Sequence, residues 1–360
     1  MAVWTQETIG GGMPAAPRKQ AKPQLQVGDH APVFSCSDVA GELFEFYVAV
    51  EGKPIVLLFC GDNDLEKLSK SALSTLSIDH DKVQAVALAA GAAAQVKARV
   101  PEQDWPYRTL VDPGSEITSG IAALSGVDAP SVYVLDPNQR IVGIAGLEED
   151  DDLQSWLDDC LEEASHDNPP ETVATIPPVL VVPRVLEPED CEWLIGLWRD
   201  GEKHAGQVAH GAASADRKGV AQDIKRREDY VLTEPEYQQR VLNRVMPRLV
   251  PELKKIFHFH RFQMEALRVG CYKATDKGFF DVHRDNCNPS VADRKYAITI
   301  NLNTGEYEGG DLRFPEYGNE LFAPPAGGAI VFSCSMLHEV LPVTKGERFV
   351  LLTFLTQPAQ

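Results

Sequence analysis

The chain has 360 residues, 44% hydrophobic and 24% charged, with a formal net charge of −19. That length is expected to split into about two domains of roughly 100–200 residues, and that apolar content buries a core, which excludes disorder throughout. The acidity argues against nucleic acid or an anionic membrane as partner, since phosphate binding needs clustered Lys and Arg, and no apolar run approaches the roughly 20 residues of a membrane span.

In chain order, residues 1–25 contain Gly10-Gly11-Gly12 and no apolar stretch of signal length, so they read as a flexible tail. Lys53 to Gly61 is an apolar, β-branched and aromatic run that predicts a buried strand. Asp64 to Leu76 spaces Leu65, Leu68, Leu73 and Leu76 for one helix face. Strands follow at Val83 to Ala89 and Tyr107 to Val111, with helices at Ala92 to Val100 and Ser115 to Leu124. Ser131 to Leu135 and Arg140 to Ala145 flank the turn Asp136-Pro137-Asn138-Gln139 as a hairpin, and Asp152 to Ala164 predicts a closing helix. This order is that of a thioredoxin-like α/β sandwich over residues 26–165. Residues 1–170 carry 11 Lys and Arg against 27 Asp and Glu, whereas residues 171–360 carry 23 against 26. The charge step falls at a proline-rich segment, 166–178, which reads as a linker. Seven scattered cysteines with no Cys-x-x-Cys pair fit a reducing cytoplasm better than a disulfide scaffold.

Gly28-Asp29-His30-Ala31-Pro32-Val33-Phe34, with Ala40-Gly41-Glu42 and Gly52 to Phe59, resembles the opening of a peroxiredoxin. In that family the central strand leads to a helix that bears the reactive cysteine in its first turn. This chain has Gly61 where the family has proline, and Leu68 at about the cysteine position, so the nucleophile is absent. Cys60, at the strand end, is the nearby thiol and reads as a packing residue.

The second half opens with a helix, Pro188 to Trp198, and is then expected to run as short strands. In Val282-His283-Arg284-Asp285-Asn286, residues two apart on a strand share a face, so His283 and Asp285 can reach one metal ion. His338, expected at the end of a strand running from Val331, offers a third ligand. Two histidines and one carboxylate leave coordination positions open, the pattern of non-haem Fe(II) oxygenases. Ten residues beyond His338, after the turn Thr344-Lys345-Gly346, Arg348 is the lone cation of an apolar strand, Glu347 to Leu355. Buried there it needs a carboxylate partner, which a dicarboxylate cosubstrate supplies through two parallel hydrogen bonds.

Cys271-Tyr272, Gly278 to Asn286, Tyr307 to Pro315 and Leu337 to Arg348 together resemble the 2-oxoglutarate- and Fe(II)-dependent dioxygenases of the prolyl 4-hydroxylase type over residues 179–360. The resemblance implies a double-stranded β-helix (jelly roll, cupin-like), so that the whole chain is α/β followed by mostly β. It implies Fe(II) on His283, Asp285 and His338, with Arg348 on the distal carboxylate of 2-oxoglutarate and Tyr272 in the same cosubstrate pocket. The activity implied is hydroxylation of an unactivated C–H bond with O2, releasing succinate and CO2, with ascorbate as an accessory reductant. Its substrate would be a peptidyl residue or a small molecule, and a homodimer through the N-terminal domain is a further expectation.

Other features read as structural. His258 and His260 share an expected strand face without a carboxylate at metal spacing, and Gly309-Gly310 and Gly327-Gly328 read as turn glycines. Asn286 reads either as a group orienting a ligand or as an exposed loop residue. Gly211 to Arg227 reads either as a lid or as a solvated charge run. Two competing functions stand beside the oxygenase: a thiol peroxidase or redox sensor acting through Cys60, and a non-catalytic iron- or oxoglutarate-binding module.

Overall fold

The computed structural model of the chain describes residues 24–46, 52–61, 64–65, 76–100, 105–127, 130–146, 152–165, 172–205 and 224–357. Nearly all of the tail, the middle of the helix expected at Asp64 to Leu76, the first residues of the linker and most of Gly211 to Arg227 lie outside them. The chain divides into two compact units at Pro170 and Glu171.

The first unit is built on strands β1 (Ser35–Asp38), β2 (Leu43–Glu45), β3 (Ile55–Cys60), β4 (Gln84–Ala90), β5 (Arg108–Asp112), β6 (Ser131–Leu135) and β7 (Ile141–Gly146). They form one sheet in the order β2-β1-β5-β4-β3-β6-β7, with β3, β4 and β5 parallel and the other pairs antiparallel. Every residue of β3 is buried. Val56, Leu58 and Cys60 point into one core and Ile55, Leu57 and Phe59 into the other, so the sheet is covered on both faces and the strand has no polar alternation. Helices α1 (Ala93–Arg99) and α3 (Leu153–Ala164) contribute to the first core and α2 (Glu116–Ser125) to the second. Asp152 starts α3 by accepting the backbone N–H of Ser155. This is the expected thioredoxin-like sandwich. The β1-β2 hairpin was not foreseen, because its two strands are short and largely exposed; it closes at Gly41, whose φ of +88° suits glycine.

The second unit holds β8 (Leu180–Val182), α4 (Pro188–Asp200), β9 (His204–Ala205), β10 (Glu228–Val231), α5 (Pro235–Phe257), β11 (Gln263–Met264), β12 (Arg268–Lys273), β13 (Phe280–His283), β14 (Arg294–Asn301), β15 (Glu308–Gly309), β16 (Leu312–Arg313), β17 (Leu321–Phe322), β18 (Ala329–Ser333), β19 (His338–Val340), β20 (Val343–Lys345) and β21 (Glu347–Thr356). A large sheet runs β8-β18-β14-β21-β12-β10-β9 with β11 against β21, a smaller one β13-β19-β16-β17, and β15 pairs β20.

The period-2 pattern of the large sheet assigns its faces. Val269 and Cys271 on β12, Ile298 and Ile300 on β14, and Phe349 and Leu351 on β21 pack in one core with Leu194 of α4 and Leu249 of α5. The alternate residues Tyr272, Ala297, Ile330 and Val350 pack with Leu312 and Val340 of the smaller sheet, the two faces of a double-stranded β-helix.

Two expectations fail here. The region after Trp198 is not strands alone, since α5 is a 23-residue helix despite Pro247 and Pro251 in its interior. His258 is the residue that ends it, in the left-handed conformation, so His258 and His260 share no strand face.

Candidate metal centre and its cavity

Short antiparallel pairing of β13 and β19 sets His283 directly opposite His338. The strand ends at His283, so Asp285 reaches the same point from the turn that follows rather than from strand alternation. Its backbone N–H donates to the Cys334 carbonyl at 3.0 Å, which ties that turn to the loop before β19. His338 opens β19 instead of ending a longer strand, because Cys334 to Leu337 turn between β18 and β19.

One ligand atom from each of His283, Asp285 and His338 lies within 4.8 Å of the others. His283 Nε2 is 3.4 Å from Asp285 Oδ1, and His338 Nε2 is 3.4 Å from Asp285 Oδ2. His283 Nδ1 sits 2.7 Å from the Asp281 carbonyl and His338 Nδ1 3.0 Å from that of Met336. A carbonyl only accepts, so both Nδ1 atoms carry the proton and both Nε2 atoms present lone pairs to one point. His283 Nε2 is buried without a hydrogen-bond partner. Burial pulls the His338 pKa below its ordinary value against the attraction of Asp285. Burial also acts to raise Asp285, but the His338 and His283 rings offset it and hold the carboxyl below its usual range. Two imidazoles and a carboxylate are the donor set of a divalent transition metal with open positions. Phe280 stacks on His283 and Phe332 packs edge-on to His338, which fixes both rings. Asn286 donates to Ser335 Oγ at 2.8 Å, a second clip between the two loops.

The three side chains line a cavity of about 400 Å³ shared with Arg348 and Tyr272. Arg348 is 2% exposed, as its place on the inner face of β21 requires. It is not paired only by a prospective ligand: Nη2 donates to Asn301 Oδ1 at 3.0 Å. No carboxylate among the described residues pairs with it, and its Nε is buried without a partner. Asn301, fully buried, is itself oriented through Nδ2, which donates to Thr304 Oγ1 and to the Pro324 carbonyl. Glycine at 310 lets the β15-β16 connection approach, since a Cβ there would stand 3.0 Å from Arg348 Cδ.

Tyr272 lies opposite Arg348 in the β12-β21 register, its ring 5.4 Å from the guanidinium. Its hydroxyl accepts from Arg227 Nη1 at 3.3 Å. Arg227 is clamped by Asp229 through Nε at 2.5 Å and Nη2 at 2.7 Å. Sequence reasoning missed Asn301, Arg227 and Asp229. The last two could have been sought as a pair, since an Arg just before a strand and an Asp two residues on, within it, can lie to the same side. In the first unit, Cys60 is fully buried, and burial followed by the nearby Asp64 carboxylate drives its thiol far above the ordinary range. No helix of the described residues is long and apolar enough to cross a membrane.

Comparison with known proteins agrees with this geometry. Residues 267–356 match the family model of the 2OG-Fe(II) oxygenase superfamily, and residues 27–144 that of the AhpC/TSA family. A PKHD-type hydroxylase of Nitrobacter winogradskyi is 27% identical over 194 residues, covering 50% of this chain and 78% of the relative. One from Gluconobacter oxydans is 27% identical over 192 residues, covering 48% and 74%. Among solved structures, a Pseudomonas putida prolyl-4-hydroxylase superposes with a TM-score of 0.40 at 18% identity, covering 50% of this chain and 93% of that one. The chain thus joins an AhpC/TSA-family domain to a domain of the 2OG-Fe(II) oxygenase superfamily, and it is an oxidoreductase of the 2-oxoglutarate-dependent Fe(II) dioxygenase type.

Proposed function

We propose that the second unit holds Fe(II) on His283 Nε2, the Asp285 carboxylate and His338 Nε2, and hydroxylates a C–H bond of a small-molecule or peptidyl substrate. The observation that carries this is the convergence of two Nε2 lone pairs and a carboxylate in the cavity that also holds Arg348 with an unpartnered Nε. Bound Fe(II) with 2-oxoglutarate supplies the oxidising power, so that R–H, O2 and 2-oxoglutarate become R–OH, succinate and CO2, one oxygen atom going to each organic product.

The chain's own groups bind, orient and exclude water. Backbone carbonyls of Asp281 and Met336 fix the tautomer of both histidines, so neither ring must reorganise to ligate. Arg348, held at Nη2 by Asn301, keeps Nε for a carboxylate oxygen of 2-oxoglutarate. Because the Tyr272 oxygen already accepts from Arg227, its own proton is left to donate to the cosubstrate. Leu312, Phe332, Val340 and Phe354 give the cavity apolar walls that keep bulk water from the reacting carbon. The first unit serves as an accessory domain, and a peroxidase acting through Cys60 is disfavoured by that thiol's burial.

Mn(II), which binds such donor sets without redox chemistry, tests the ligand assignment by calorimetry. His283→Ala and Asp285→Ala should each weaken Mn(II) binding by roughly tenfold or more while the circular dichroism spectrum is retained. Unchanged affinity in either variant contradicts the assignment.

A further inference from the structure

Besides Arg348, the cavity is lined by Lys225, which lies over the Phe280 ring, and by four more arginines, three of which have a hydrogen-bonded carboxylate. Arg227 is clamped by Asp229, and Arg284 pairs with Glu316 at 2.6 Å. Arg294 holds both oxygens of Glu265, through Nε at 2.6 Å and Nη2 at 2.7 Å, while its Nη1 reaches the carbonyl of Asp285 at 3.4 Å. Arg268 is different. It makes no hydrogen bond among the described residues, its Nε is buried without a partner, and its approach to a carboxylate is Nη2 to Glu265 Oε2 at 4.0 Å. Both oxygens of that carboxylate accept from Arg294, and it stands beyond hydrogen-bond distance of Arg268.

Arg268 shares the inner face of β12 with Gly270 and Tyr272 and stands opposite Leu352 in the register, whereas Tyr272 stands opposite Arg348. At about 3.3 Å per residue, the Arg268 and Tyr272 backbones are roughly 13 Å apart along the strand. One cavity therefore has two guanidiniums with unpartnered Nε atoms at separate stations, and Arg268 is linked toward the triad through Glu265, which is held by Arg294, whose Nη1 reaches the Asp285 carbonyl. A 2-oxoglutarate molecule whose distal carboxylate sits on Arg348 leaves Arg268 unmatched. An Nε–H buried without an acceptor is costly, and a side-on Nε–H and Nη–H pair is a fork for a carboxylate.

We propose that the primary substrate carries a carboxylate that docks on Arg268 while the carbon to be oxidised lies over the triad. This rests on the proposed function and narrows its substrate class to carboxylated molecules, either small acids or peptides bearing an acidic side chain.

The full chain, loaded with Mn(II) and saturating 2-oxoglutarate, is titrated with two sets of matched probes: N-acetyl amino acids against their primary amides, and end-capped hexapeptides containing one Glu against the same peptides containing Gln. In at least one set the acid should bind about tenfold more tightly than its neutral partner, and which set does so identifies the source of the carboxylate. Arg268→Leu should erase that preference and leave the affinity for 2-oxoglutarate within about twofold, while Arg268→Lys should keep part of it. The proposal is overturned by neutral probes that bind as well as acids, by a preference that survives Arg268→Leu, by the absence of binding from both sets, or by loss of 2-oxoglutarate affinity in Arg268→Leu. Wild-type protein that takes up neither Mn(II) nor 2-oxoglutarate before any probe is added removes the underlying reading itself.

Discussion

Arg348 owes its position to an amide rather than an acid. Asn301 Oδ1 accepts from Nη2 and orients the guanidinium without neutralising it, so the positive charge stays available for an anion. Under the proposed function, Arg348→Ala should lower 2-oxoglutarate affinity by an order of magnitude or more, since hydrogen bonds to charged groups contribute about 1.5–3 kcal/mol each. Mn(II) affinity should be almost unchanged because the residue is not in the triad, and Arg348→Lys should fall between, keeping charge without the fork. Calorimetric titration with each ligand in turn separates these; unchanged oxoglutarate affinity, or loss of metal together with it, contradicts the role. Arg348 was legible in the sequence because a lone cation in an apolar strand needs an explanation. Asn301 was not, because it lies 47 residues away and a single polar residue at a strand end has no pattern.

At the scale of elements, β12 positions the site through a glycine. A Cβ on Gly270 would stand 2.8 Å from Arg227 Cδ and 3.0 Å from both Arg227 Nε and Asp229 Oδ1. Those atoms are locked in a buried ion pair whose free Nη1 supports Tyr272, so they cannot swing away as a surface side chain would. Gly270→Ala is expected to destabilise the second unit by about 1–3 kcal/mol in urea unfolding and to weaken 2-oxoglutarate binding together with it. Wild-type values for both would show that the pair is loosely held. The strands bearing the triad were located from sequence, but the reason for their convergence was only half right. Asp285 arrives by a turn, and His338 begins its strand, because Cys334 to Leu337 fold back to meet Asp285 and Asn286. Helix α5 was not foreseen: Pro247 and Pro251 in its interior are residues that ordinarily interrupt a helix, although Val241, Val245, Leu249 and Leu253 recur every four residues and all lie in the core.

For the whole molecule, two units of different chemistry share one chain. The alternation of strands and helices in the first was readable because its central strands are apolar on both faces. The sequence has Leu68 at about the position of a peroxiredoxin's reactive cysteine, and the structure adds that Cys60 is sealed in a core. Iron-free protein with a thiol reductant should therefore consume hydrogen peroxide no faster than an ordinary protein thiol. A substantial rate that disappears in Cys60→Ser would make the first unit a peroxidase after all. The acidity of residues 1–170 has no counterpart in the second unit's cavity, where cations outnumber acids. That His283, Asp285, His338 and Arg348 would meet was legible because such side chains are sparse there, whereas Asn301, Arg227 and Asp229 depend on which neighbours the fold brings together.

The most direct measurement is succinate formation from 2-oxoglutarate by the full chain in air, with Fe(II) added, compared with the same protein after chelation and with Asp285→Ala. The account predicts slow succinate release that needs Fe(II), disappears on chelation and is absent in Asp285→Ala, whose folded state remains intact. Equal succinate from all three preparations, or none from the iron-loaded wild type at any oxoglutarate concentration, would contradict it.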